Sequence, residues 1–135
     1  MNFHQLFHCF IRRVYFSRIT VSGSENVPAE GPVLALCLHR NGAVDGFVYL
    51  AAIPRLTFLI RAKLRSGLIG KLFFPGLDVT RTDDGGRKEE LLKMIADSAS
   101  ALRSGSSLAI FPEGTSQLGP RHLPFQSGAA RIALT

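Results

Sequence analysis

Val33 to Leu38 is an unbroken apolar run of six residues, VLALCL. Gly31-Pro32 closes it on one side and the polar turn His39-Arg40-Asn41-Gly42-Ala43-Val44 on the other. Bounded by loop signals, so short a run reads as a strand buried on both faces, and such strands belong to parallel sheets covered by helices. Leu56–Ile60, Leu77–Thr80 and Ser107–Phe111 read as three more strands. Between them the pattern turns helical. Asp45 is placed to cap a helix through about Ile53. Residues 61–74 are mixed basic and apolar, reading as a broken helix that ends at Pro75. Arg87–Arg103 sets Leu91, Leu92, Ile95, Ala99 and Leu102 on one face, and Gly105 stops it. Ser127–Leu134 is a short closing helix, and the alternation in Ile19–Ser22 predicts a further strand. Strands alternating with helices imply an α/β fold: a largely parallel sheet flanked by helices.

At 135 residues the chain fits a single domain, 1–135, able to bury a real core. Its first 18 residues predict an amphipathic N-terminal helix, with Phe3, Leu6, Phe7, Phe10, Ile11 and Val14 on one face and Arg12, Arg13 and Arg18 near its end. Such a helix either lies in a lipid interface with its cations on headgroups, or packs that face on the domain core. His4 and His8 are one turn apart without a further ligand nearby, and read as polar-face residues. Cys9 and Cys37 are too few for a disulfide framework and read as buried thiols of a reducing compartment. The net charge is +6, concentrated in residues 1–65, and twelve of the sixteen cations are Arg. That balance suits anionic partners: phospholipid headgroups, a phosphorylated metabolite or nucleic acid. The nucleic-acid reading is set aside, because the Arg residues are scattered and the Phe residues fall in apolar patterns and not among exposed charges. The longest stretch free of charge runs only from Met1 to Ile11, so no spanning segment or secretory signal is expected.

In sheets of this kind ligands bind at the carboxyl ends of the strands. That rule selects His39–Asp45, Arg81 and Glu113–Ser116 and, if the strands are parallel, gathers them at one end of one sheet. A His beside an Asp is a general-base pair: the carboxylate fixes one ring nitrogen as N–H, and the other accepts a proton from a hydroxyl. Arg81 is placed to hold an anion. Gly114 and Thr115 offer N–H and hydroxyl groups to an oxyanion or phosphate. Neither Cys reads as a nucleophile, and the chain has no nucleophile elbow, phosphate-binding loop, dinucleotide fingerprint or metal-ligand spacing. The expected chemistry is attack by a substrate hydroxyl assisted by a base, without a covalent enzyme intermediate.

Three segments carry a resemblance: VSGSENVPAEGPVLALCLHRNGAVDGF, FFPGLDVTR and FPEGTSQLGPRHLPFQSGAARIAL. Together they resemble the first three blocks of the glycerolipid acyltransferases, the family of 1-acylglycerol-3-phosphate and lysophospholipid acyltransferases, from about Ile19 to Leu134. The resemblance implies a catalytic core at 19–135 in which His39 is the general base and Asp45 orients it. Arg81 would bind the acceptor phosphate, and Glu113, Gly114, Thr115 and Ser116 would shape the acceptor site. It implies an acyl thioester donor, acyl-CoA or acyl-carrier protein, as co-substrate, with no other cofactor and no metal. The acceptor would be a glycerol phosphate or lysophospholipid, and the place of work the cytoplasmic side of a membrane.

The sequence departs from the family pattern at four points. Five residues separate His39 from Asp45 where the family has four. Ser116 stands where an Arg is common, Gln126 stands where a Lys is common, and the chain stops before a fourth block, so the resemblance implies that a C-terminal part is lacking. Two neighbouring readings stand beside the transferase: a non-catalytic, membrane-surface lipid-binding fragment of the same fold, and a thioester hydrolase using the same pair with water.

Overall fold

The computed structural model describes residues 3–42, 44–61, 76–79, 88–116 and 118–135. Among them the order is α1 (Phe3–Tyr15), a 3-10 turn (Ser24–Asn26), β1 (Leu34–Leu36), α2 (Asp45–Ala52), β2 (Leu56–Arg61), β3 (Gly76–Val79), α3 (Lys88–Arg103), β4 (Ser107–Ile110) and α4 (Gly128–Leu134). The four strands form one sheet in the order β1-β4-β2-β3, parallel throughout. This is the α/β architecture expected from the short apolar runs. Arg61, the first residue of the broken helix expected at 61–74, instead ends β2; residues 62–75, Thr80, Arg81 and the loop after it lie outside the described residues.

The strand order follows from two crossovers that run in opposite directions. From β1 to β2 the chain passes over the position that β4 later fills; from β3 to β4 it returns across β2. Right-handed crossovers then set α2 and α3 on opposite faces. On the α2 face, Cys37, Leu56, Phe58 and Ala109 form a buried cluster, against which Tyr49, Leu50 and Ile53 pack. Side chains alternate along β4, so Leu108 points to the other face, and it is fully buried. Ile95 and Ala99 of α3 and Ala129 and Ile132 of α4 are buried as well. Burying a leucine side chain to this degree contributes about 2 kcal/mol.

Helix ends follow local chemistry. Gly105 adopts φ +93, its N–H bonds the Leu102 carbonyl at 2.9 Å, and Ser106 N–H bonds the Ala101 carbonyl at 3.0 Å. That paired closure ends α3 and needs a residue tolerant of positive φ. On α3 itself, Leu92 is exposed and Ser98 is buried, its hydroxyl 3.7 Å from Met94 Sδ, so the buried stripe is narrower than the apolar one.

Three expectations are corrected. Cys9, expected to be buried, is exposed on α1, while Cys37 is buried. Ile19–Ser22 is not a strand: the segment is irregular and Val21 is exposed, so its alternation secures no burial and no ladder. The broad apolar face of α1 divides. Phe7 and Ile11 are half-buried, and the His8 ring meets Phe47 of α2 edge-on at 5.0 Å, so His8 is a packing residue and not a purely polar-face one. Leu6, Phe10 and Val14 stay 55%, 61% and 69% exposed.

Candidate active site

Parallel pairing of β1 with β4 sets the site. Leu36 pairs with Ile110, and the ladder continues with Cys37 N–H to the Ile110 carbonyl at 2.9 Å. His39 and Glu113 each follow three residues beyond that paired level, so the two segments leave the sheet side by side. The His39 N–H accordingly faces Glu113 Oε2 at 3.5 Å, across 74 residues of sequence.

The imidazole of His39 is held from two sides. Its Nδ1 lies 2.9 Å from Asp45 Oδ2, and the ring stacks on Phe111 with centroids 4.2 Å apart and planes at 27°. Phe111 in turn stacks on Phe58 in the core, so the imidazole rests on a column anchored in the sheet. Its other nitrogen, Nε2, lies on the side of Gly42: a Cβ there would come within 3.6 Å of Nε2 and 4.0 Å of Ser116 Oγ. The His39 and Asp45 side chains are 22% and 13% exposed, open enough for a ligand to reach.

Asp45 does not cap its helix as expected. It is the first residue of α2, the cap position is Val44, and no side chain caps there. The Asp45 carboxylate turns back instead, accepting the Asn41 N–H at 2.8 Å as well as meeting His39. A group that ordinarily satisfies a helix N-terminus is diverted to the turn that carries the imidazole. That turn holds the one residue by which the His–Asp spacing exceeds the family pattern, and the contact closes regardless.

Glu113 is 3% exposed. Its Oε1 accepts the Leu123 N–H at 2.9 Å while Oε2 faces His39 N–H, so the carboxylate braces two backbone segments against each other. Gly114 turns the chain at φ +73 and gives its N–H to the Phe111 carbonyl at 3.0 Å. Thr115 and Ser116 are exposed beside it. Arg40 Nη1 donates to the Gly119 carbonyl at 2.6 Å and faces the Arg121 carbonyl at 3.4 Å, tying the loop after Ser116 to the His39 turn. Of the residues expected in the site, His39, Asp45, Glu113, Gly114, Thr115 and Ser116 thus fall at the carboxyl end of the sheet; Arg81 lies outside the described residues.

Sequence reasoning passed over Phe111 as the ring beneath the imidazole, Arg40 as the loop tie, and Tyr49. The Tyr49 hydroxyl bonds both backbone groups of Leu38, the residue before His39. Its position, one helical turn after Asp45, was the available signal. Two groups here titrate high. Burial, helped by the Asp45 charge, pushes the Cys37 thiol up from 9.0 to about 12. Burial likewise raises Tyr49 above its ordinary 10.0. Both stay protonated at neutral pH, which leaves Cys37 unsuited to act as a nucleophile.

The family model described as Acyltransferase matches residues 18–135. The chain is 28% identical over 131 residues to the lyso-ornithine lipid O-acyltransferase of Brucella abortus (strain 2308), covering 95% of this chain and 47% of that protein. It is 27% identical over 124 residues to a probable 1-acyl-sn-glycerol-3-phosphate acyltransferase of Mycoplasma pneumoniae (strain ATCC 29342 / M129 / Subtype 1), covering 86% of this chain and 44% of that one. The chain therefore spans about half the length of these relatives. No solved structure matches it at a significant level. The family match runs over the sheet, the His39–Asp45 turn and the Glu113 loop alike, and the chain belongs to the Acyltransferase family.

Proposed function

We propose that this domain transfers a fatty acyl group from a thioester, acyl-CoA or acyl-carrier protein, to a hydroxyl of a glycerol phosphate or lysolipid. The observation that carries the reading is the 2.9 Å contact between His39 Nδ1 and Asp45 Oδ2, with Nε2 turned toward Gly42 and Ser116. Both relatives are named for acylating a lipid that lacks an acyl chain, and one is named for O-acylation.

In this mechanism the Asp45 carboxylate accepts a hydrogen bond from Nδ1–H and so fixes the tautomer that leaves Nε2 a base. Nε2 takes the proton of the acceptor hydroxyl as its oxygen attacks the thioester carbonyl. The tetrahedral intermediate collapses, the carbon–sulfur bond breaks, and the thiolate leaves with the proton returned from Nε2, giving an ester and a thiol. Because the Gly114 N–H already serves the Phe111 carbonyl, oxyanion donors in this loop fall to Thr115 and Ser116. Arg81, two residues beyond β3 in sequence, is the proposed contact for an acceptor phosphate. The exposed Leu6-Phe10-Val14 stripe of α1, with Arg13 beside it, supports work at a membrane surface; no described helix is long and apolar enough to cross one.

The test is transfer from radiolabelled acyl-CoA to lysophosphatidate or lyso-ornithine lipid, with a no-acceptor arm to expose hydrolysis. His39→Ala should lower kcat by about a thousandfold with melting unchanged. Wild-type turnover in that variant, or vesicle binding with no product from the wild type, overturns the reading.

A further inference from the structure

Tyr49 lies outside the three motif segments that carry the resemblance. It lies on α2 four residues after Asp45 and therefore on the same side of the helix. Its hydroxyl makes two bonds to one residue, accepting the Leu38 N–H at 3.0 Å and donating to the Leu38 carbonyl at 2.9 Å. A phenol has one proton to give and lone pairs to receive, so a single oxygen satisfies both polar groups of a residue that lies past the last paired position of β1. Leu38 directly precedes His39. Helix α2 thus grips the imidazole twice, by its ring through Asp45 and by its main chain through Tyr49. The Tyr49 ring is 6.1 Å from Phe111, the ring on which the imidazole stacks. The phenol stays protonated well past neutrality, so its donor role persists over the working pH range.

We propose that Tyr49 is a positioning residue for acyl transfer: by holding Leu38 it fixes where the His39 imidazole stands between Asp45 and the acceptor hydroxyl. The proposal rests on His39 as the general base. Phe at position 49 keeps the ring packing and removes both bonds, letting the chain that enters His39 shift. Misplacement by about 1 Å can cost about a hundredfold in rate.

The experiment compares wild type, His39→Ala, Tyr49→Phe and a destabilised control on the opposite face of the sheet, Ile132→Val. Each is assayed for kcat and KM, and in the three that keep His39 its Nδ1 proton is followed by NMR. Tyr49→Phe should lower kcat about ten- to a hundredfold with KM within about twofold, and its Nδ1 proton should exchange faster than in Ile132→Val. A kcat equal to that of Ile132→Val, a defect confined to KM, or an Nδ1 proton as protected as in the control overturns the proposal. Loss in His39→Ala without loss in Tyr49→Phe sinks this inference alone; full activity in His39→Ala sinks the base assignment with it.

Discussion

A methyl group built on Gly42 would stand 3.5 Å from Cε1 and 3.6 Å from Nε2 of His39. Both are ordinary contact distances, so the fold can accommodate Ala there. In the proposed mechanism, however, an acceptor hydroxyl comes within about 2.6–3.2 Å of the same nitrogen, and the methyl would occupy its approach. Gly42→Ala is expected to melt within about 0.5 kcal/mol of wild type yet lose at least about tenfold in kcat/KM for the acceptor. Gly46 is the contrast. A Cβ there would meet only the Phe58 ring, at 3.9 Å, and removing a helical Gly gains about 0.5 kcal/mol. Gly46→Ala should therefore keep full activity, as steady-state kinetics and thermal melts on the two variants will show. At this scale the sequence makes the pairing of His39 with Asp45 legible, because an imidazole and a carboxylate lie six residues apart beyond one strand and a second motif accompanies them. Phe111 was not, since a ring beneath an imidazole leaves no pattern in one dimension; for Tyr49 only the one-turn spacing from Asp45 was visible, not its two bonds to the Leu38 main chain.

Among the elements, α1 shows what periodicity can and cannot decide. Its spacing predicts a helix and a wide apolar face, and both are present. It does not say which half of that face meets protein, because that depends on where α2 lies, a fact set by the sheet. The half bearing Phe7, His8 and Ile11 turns inward; Leu6, Phe10 and Val14, at steps of four, remain outside. Such a stripe bordered by Arg suits the headgroup boundary of an anionic membrane. Phe10→Glu is accordingly expected to weaken binding to vesicles containing phosphatidylglycerol by at least about tenfold, on the order of the transfer energy of a half-buried aromatic side chain. It should leave the melting temperature nearly unchanged, because Phe10 is exposed. Sedimentation with such vesicles, at low and high salt, measures it; undiminished binding would assign the stripe another role. The failed strand at Ile19–Ser22 makes the same point from the other side, since alternation is a strand signal only where a ladder partner waits.

For the whole molecule, alternation of strand and helix was readable residue by residue, but the order β1-β4-β2-β3 was not. Strand order comes from which apolar edge each strand finds, and the last strand in sequence takes an interior place between β1 and β2. That insertion joins His39 to Glu113 and also buries Cys37 among Leu56, Phe58 and Ala109, residues of three different strands or their ends. Cys37 therefore reports on the sheet as a unit, whereas Cys9 is exposed on α1. Native protein should release one thiol equivalent to a disulfide reagent at once and the second only on unfolding. The raised Cys37 pKa then fixes the sign of a pH effect. The unfolded thiol loses its proton near 9.0, while the folded one keeps it to about 12. Above the first value the unfolded state binds fewer protons, so stability contributed by the neutral buried thiol is complete below pH 9 and falls as pH rises toward 12. The slope is at most about 1.4 kcal/mol per pH unit. Urea unfolding of wild type and Cys37→Ala between pH 8 and 10, where the Tyr49 contribution is common to both, should show the wild type losing stability faster with pH. Parallel curves would mean that the thiol reaches water in the native state and that the three-strand cluster opens without global unfolding.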